Sequence, residues 1–316
     1  MEDKTIKMTL NSVNKLFGLF MCCILLYLLL VILLLVVNPY ISEYISRFFV
    51  IDYYYIYYSI TCLYMLGISF GIFRLFRLRV GIPLIDLKRV VKLDIIIVSK
   101  LLLIGISTYF IGAFTTAIIN YYFPLDLYYL MPIGLTIDVF NISNPIFWVF
   151  FVFVGPLCDE YIFRGVSLRF LGRFGNRFGI YSTCLLYALL HINYINFIFG
   201  FIFSYFLCII TLKYKNILPS YIIHSFVNLF MLVINLFYID YYYVVISLVL
   251  IIYISSIYII FVDYSKRVVL PYEKDTKDLV KILFKRFSFI LVLLVIVIYH
   301  TYPYIIELWD LVIPYL

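Results

Sequence analysis

The chain has 316 residues, 66% of them hydrophobic and 13% charged, with a formal net charge of +7. Soluble domains average about half apolar and about a quarter charged residues, so a soluble fold of this length would lack the polar surface to cover its apolar content; a bilayer is the solvent that fits. No basic patch interleaves with stacking aromatics in a polar domain, which excludes nucleic acid as a partner.

Taken in chain order, nine apolar runs are long enough to span. The first, Leu16–Val37, follows Lys4, Lys7 and Lys15 and has no small-residue cleavage site after it, so it reads as a retained helix. Then come Tyr53–Phe73, Ile95–Ile119, Pro145–Phe170, a short Phe178–Asn193, Ile195–Leu212, Ile217–Phe237, Tyr242–Val262 and Phe287–Ile306. The expected fold class is all-α: a polytopic transmembrane helical bundle of about nine spans, with eight as the alternative count. Lys and Arg gather at 4–15, 74–92, 164–177, 213–215 and 266–286, which are alternate loops, while the opposite loops carry Asp126, Asp138, Asp240, Glu307 and Asp310, with Arg47 the exception. The positive-inside rule then places the N-terminus in the cytoplasm, as in a multi-pass protein of the cell membrane. The spans group as 1–144 (three helices and an outer link), 145–237 (a four-span core) and 238–316 (two helices). The 33 Tyr and 31 Phe suit lipid-facing and interfacial positions. The six cysteines form no metal-type spacing and read as small buried hydrophobes.

Ionisable groups inside a bilayer are costly and mark function. They concentrate in the fourth, fifth and seventh spans: Asp159, Glu160 and Arg164, then His191, then His224 with Asn228. Glu160 and Arg164 are four apart and share a helix face, whereas Asp159 is turned from Glu160 by about 100° and can face elsewhere. Tyr187 with His191, and His224 with Asn228, form two further pairs at the same spacing. The basic turn Gly172–Gly179 joins the fourth and fifth spans. Asp159 lies fourteen residues before Arg173 and His191 fourteen after Arg177, so antiparallel helices leaving that turn carry both to about the same height, ~21 Å; His224 lies ~13 Å beyond Lys215 by the same count.

A carboxylate beside an imidazole can deprotonate water, and a second histidine with an asparagine can donate to a developing oxyanion. Together these parts describe hydrolysis of an amide within the membrane. Zinc is the rival use of the same side chains, with Glu160, His191 and His224 as ligands, although no HExxH is present; the hydrolytic reading itself requires no cofactor.

Asp159-Glu160-Tyr-Ile-Phe-Arg164 resembles the EExxxR motif of the CPBP family, the CAAX-processing and bacteriocin-processing (ABI) intramembrane proteases. Tyr187-Ala-Leu-Leu-His191 is similar to its FxxxH motif, and His224-Ser-Phe-Val-Asn228 to its HxxxN motif. The likeness covers about residues 150–232. It implies an all-helical intramembrane endopeptidase acting on a peptide or lipidated-protein substrate, in CAAX-type processing, peptide maturation or bacteriocin immunity. Asp159 and His191 would activate water, His224 and Asn228 would support the oxyanion, and Glu160, Arg164 and Tyr187 would orient them. Two departures stand out: Asp159 replaces the motif's first Glu, and Tyr187 its Phe. A retraction of ~1.5 Å can cost a hundredfold in rate. Either the helices sit closer, or Glu160 takes the role, or the protein is a weak or inactive member serving as a membrane binding or immunity protein. A proton-coupled transporter ranks below both, for want of paired interrupted helices. Cys158 as a thiol nucleophile and Gly172–Gly179 as a nucleotide loop rank lower still; the basic turn reads as one that contacts lipid phosphate. The outer link at 120–144, with Pro124, Pro132 and Gly134, is a candidate lid, and His300 reads as interfacial.

Overall fold

A computed structural model describes residues 10–82, 94–122, 144–191, 197–238, 242–263 and 289–297. Among them the regular structure is helix throughout: α1 Leu10–Phe49, α2 Tyr53–Val80, α3 Ile95–Tyr122, α4 spanning Pro145–Gly172, α5 Asn176–His191, α6 Phe197–Tyr214, α7 Leu218–Tyr238, α8 Tyr242–Asp263, and a further stretch, α9, at 289–297. Three of them, Lys15–Phe49 within α1, α2 and α4, are by length and composition able to cross a membrane. The all-helical bundle expected from the apolar runs is therefore the fold. The expected lid, His300 and most of the links lie outside the described residues.

The first helix runs well past its expected end at Val37. Pro39 lies inside it and removes one backbone donor, but the neighbouring polar side chains turn inward and bond. Asn38 Nδ2 donates to Thr61 Oγ1 at 2.9 Å and to the Tyr57 carbonyl at 3.0 Å, and Ser42 Oγ donates to Asn38 Oδ1 at 2.9 Å. These bonds hold α1 to α2. Similar staples join α3 to α8 (Ser107–Ser256, 2.6 Å) and α6 to α7 (Thr211–Ser220, 3.1 Å). Where lipid is as apolar as the helices, such bonds and close packing hold helices together.

The ends of the helices sort as the charge pattern requires. Phe17 near the start of α1 packs on Phe170, Phe174 and Phe178 around the α4–α5 turn, and Phe20 packs on Phe76 and Phe170. Arg173 in that turn donates to the carbonyls of Val80 (3.0 Å) and Gly81 (2.7 Å), where α2 ends. Three segments assigned to one face by their basic residues thus meet at one end of the bundle. Tyr58, Phe147, Val152 and Leu232 form a separate cluster of buried side chains. Arg173, in the basic turn, covers the open carbonyls of a helix C-terminus, which attract a cation.

The α4–α5 turn depends on glycine at two positions. Gly175 has φ 132°, a region that glycine enters without steric cost. Gly179 meets the preceding helix end so closely that an added Cβ would lie 2.6 Å from Gly172 N and 2.7 Å from Gly172 Cα. Because backbone, not a flexible side chain, occupies that space, Gly179→Ala is expected to destabilise the protein by about 1–3 kcal/mol. Thermal unfolding of the purified variant in detergent would read this as a lowered midpoint; an unchanged midpoint would mean that the two helices are not in this contact.

Candidate functional site

Helix α4 carries the first motif and departs from α-helical geometry twice, in wide π turns at Val149–Val154 and Glu160–Ser167. Such turns are rare and recur at functional sites. The first has a visible cause: in the five-residue register of this turn, the partner of the Phe151 carbonyl would be residue 156, a proline with no N–H. Asn228 of α7 supplies the missing donor, its Nδ2 lying 2.8 Å from Phe151 O. The third motif's asparagine is thus anchored by one N–H on the helix that bears the carboxylates.

The second turn begins at Glu160. Its Oε1 is the meeting point of two cations or potential cations: Arg164 Nη1 at 3.2 Å and His224 Nδ1 at 3.0 Å. Glu160 and Arg164 are both 0% exposed and His224 is 4% exposed. Arg164 also donates from Nη2 to the Ser204 carbonyl at 3.4 Å, and its guanidinium lies over the Tyr187 ring at 4.7 Å, a cation–π contact strengthened by exclusion of water. Phe163 meets Tyr187 edge-on at 5.1 Å, and Phe203 meets His224 edge-on at 5.3 Å. The aromatic at position 187 therefore serves as a platform for Arg164, and tyrosine supplies the same ring face as the motif's phenylalanine.

With Nδ1–H given to Glu160, a neutral His224 presents a lone pair at Nε2; only the imidazolium donates from both nitrogens. Asp159, one residue before Glu160, is buried and lies within electrostatic reach of the Tyr27 and Tyr187 hydroxyls. Glu160, and not Asp159, meets His224 and Arg164 in ion-pair contact, while Tyr187 lies near both carboxylates. His191 ends α5 one turn beyond Tyr187, and its side chain lies outside the described residues. Cys158 is 0% exposed.

Phe151, Ser204, Phe203 and Tyr27 belong to the surroundings of this cluster and were not legible as such. Only Pro156 carried a signal, since a proline within an apolar span leaves a carbonyl in want of a donor.

Of the zinc ligands considered from the sequence, Glu160 and His224 lie side by side on α4 and α7, and the His191 side chain lies outside the described residues. Glu160 Oε1 is shared between a guanidinium and an imidazole, while its Oε2 is buried with no hydrogen-bond partner among the described residues. Among the described residues no three of His, Cys, Asp and Glu gather as a ligand set.

No curated protein and no solved structure matches the chain. Its segment 141–230, which contains all three motifs, matches the family model described as type II CAAX prenyl endopeptidase Rce1-like. The membrane-embedded core at 141–230 thus bears out the resemblance to the CPBP intramembrane protease family that the three motifs carry.

Proposed function

We propose that the chain is an intramembrane endopeptidase that cleaves a peptide bond of a membrane-associated peptide or lipidated protein by carboxylate- and histidine-activated water. One observation supports this most: a buried glutamate on α4 joins the arginine of the first motif to the histidine of the third. Groups distant in sequence are thereby assembled around a polar centre.

In this reading Asp159 and His191 accept a proton from water as its oxygen attacks the scissile carbonyl. His224, held by Glu160, and the second N–H of Asn228 donate to the resulting oxyanion. The stored proton passes to the departing amine as the C–N bond breaks. Glu160 acts through His224 and Arg164, and contacts no substrate. No step uses a metal, and the assignment to the cell membrane belongs to the same proposal.

The test uses the full chain in nanodiscs with a prenylated CAAX peptide and an unmodified peptide of the same sequence. His191→Ala and His224→Ala are each expected to lower cleavage about 10²-fold or more while unfolding curves stay close to those of the parent. A chelator such as EDTA should leave the rate unchanged. Cleavage that survives both substitutions would sink the hydrolytic reading and favour a binding or immunity role; a rate abolished by EDTA and restored by zinc would sink the metal-free one.

A further inference from the structure

The outer face of α2 and its junction with α4 carry a second polar feature that the hydrolytic site leaves unused. Arg77 is 8% exposed, and its Nε is buried with no hydrogen-bond partner among the described residues. Arg74, which is exposed, and Arg77 lie four and seven residues beyond Phe70 and so share the face of α2 that meets Tyr161 of α4, itself 8% exposed. The Tyr161 ring is fixed by stacking on Phe70, with centroids 4.3 Å apart. Among the described residues neither Arg74 nor Arg77 has a carboxylate within ion-pair distance. The α2 C-terminal carbonyls do not absorb this charge, because Arg173 already covers them. Two guanidinium groups and a phenol therefore gather, with no anion beside them among the described residues, at the end of the bundle that carries the basic loops.

Above this point α2 carries a shallow, open apolar depression of about 440 Å³, lined by Ile60, Leu63, Tyr64, Gly67 and Ile68. Gly67 and Gly71 leave open space where a Cβ would stand. Gly67 and Arg74 are seven residues apart and so lie on one face of the helix, while Leu75 and Leu78 flank the charge as exposed apolar side chains. A double arginine below an open apolar depression is complementary to one molecule of mixed character. We propose that this face binds an anionic phospholipid, its phosphate held by Arg74, Arg77 and Tyr161 and one acyl chain laid along the Gly67–Gly71 depression. Arginine is suited to this because its fork grips phosphate oxygens in pairs, and basic pockets between helices at the cytoplasmic surface collect anionic headgroups.

The experiment reconstitutes the full chain in vesicles of phosphatidylcholine containing a minor share of phosphatidylglycerol, extracts it in mild detergent, and reads retained lipid by native mass spectrometry. Phosphatidylglycerol should be retained roughly tenfold over its share in the vesicle. The enrichment should vanish in Arg74→Gln/Arg77→Gln, fall partly in Tyr161→Phe, and persist in Arg77→Lys at a reduced level. Arg74 is exposed, so Arg74→Gln alone carries the charge test should the double variant fail to fold. Gly67→Leu, placed in open space, should reduce retention by filling the depression. Equal retention of both lipids, or undiminished enrichment in Arg74→Gln and Gly67→Leu together, overturns the proposal. Displacement of the lipid by inorganic phosphate alone would also overturn it, since the site would then recognise a free anion.

Discussion

Glu160→Ala is expected to destabilise the protein by about 3–5 kcal/mol and to abolish cleavage as well. The loss follows from what remains behind: Arg164, 0% exposed, would keep its charge in a buried space beside the Ser204 carbonyl and the Phe163 and Tyr187 rings, none of which carries a negative charge. Removing one partner of a buried pair costs far more than the pair itself contributes, because the survivor is uncompensated. His224 would lose the acceptor that fixes its ring. The two effects can be separated. Replacing both charges with apolar residues, Glu160→Met with Arg164→Leu, should recover most of the stability and none of the activity. Chemical denaturation in detergent gives the first quantity and peptide cleavage the second. A stable, active Glu160→Ala would show that the ion cluster is neither structural nor part of the site.

Asp159→Asn is expected to lower cleavage by about 10²–10⁴-fold, the range for loss of a general base, with stability nearly unchanged. The change is isosteric, and Glu160 remains in place to pair Arg164 and His224. Asp159→Glu tests the same role from the other side. If the aspartate sits about a methylene short of the best position, the longer side chain should raise the rate, by up to about a hundredfold. Should Asp159→Asn cleave at the parental rate, the base lies elsewhere and Glu160 becomes the candidate. Should the parent and both variants leave the peptide uncut while a biological effect persists, the chain acts by binding.

The two carboxylates illustrate how far sequence reasoning reaches. Their angular offset on a helix shows that they can face different neighbours, and the four-residue spacing of Glu160 and Arg164 shows that they can pair. Both statements hold, although the pair sits in a π turn, where the spacing per turn is wider. The height estimates left His224 several ångströms from the carboxylates; tilt and side-chain length close that gap to 3.0 Å. The first helix runs past its expected end at Val37 and through Pro39, whose cost is offset by side-chain bonds to α2, and no reading of α1 alone contains them.

The apolar runs, the alternation of basic loops and three short polar motifs were all determined by the sequence itself, because solvation in lipid and hydrogen bonding within a helix are local properties that depend on residue type and order. The tertiary structure alone decided that Glu160 rather than Asp159 meets His224, that Asn228 satisfies the carbonyl left open at Phe151, and that Arg173 closes the end of α2. Each of these is a contact between helices, and it is set by their rotation, depth and tilt against one another. Those quantities come from the packing of many side chains at once, and no single segment encodes them.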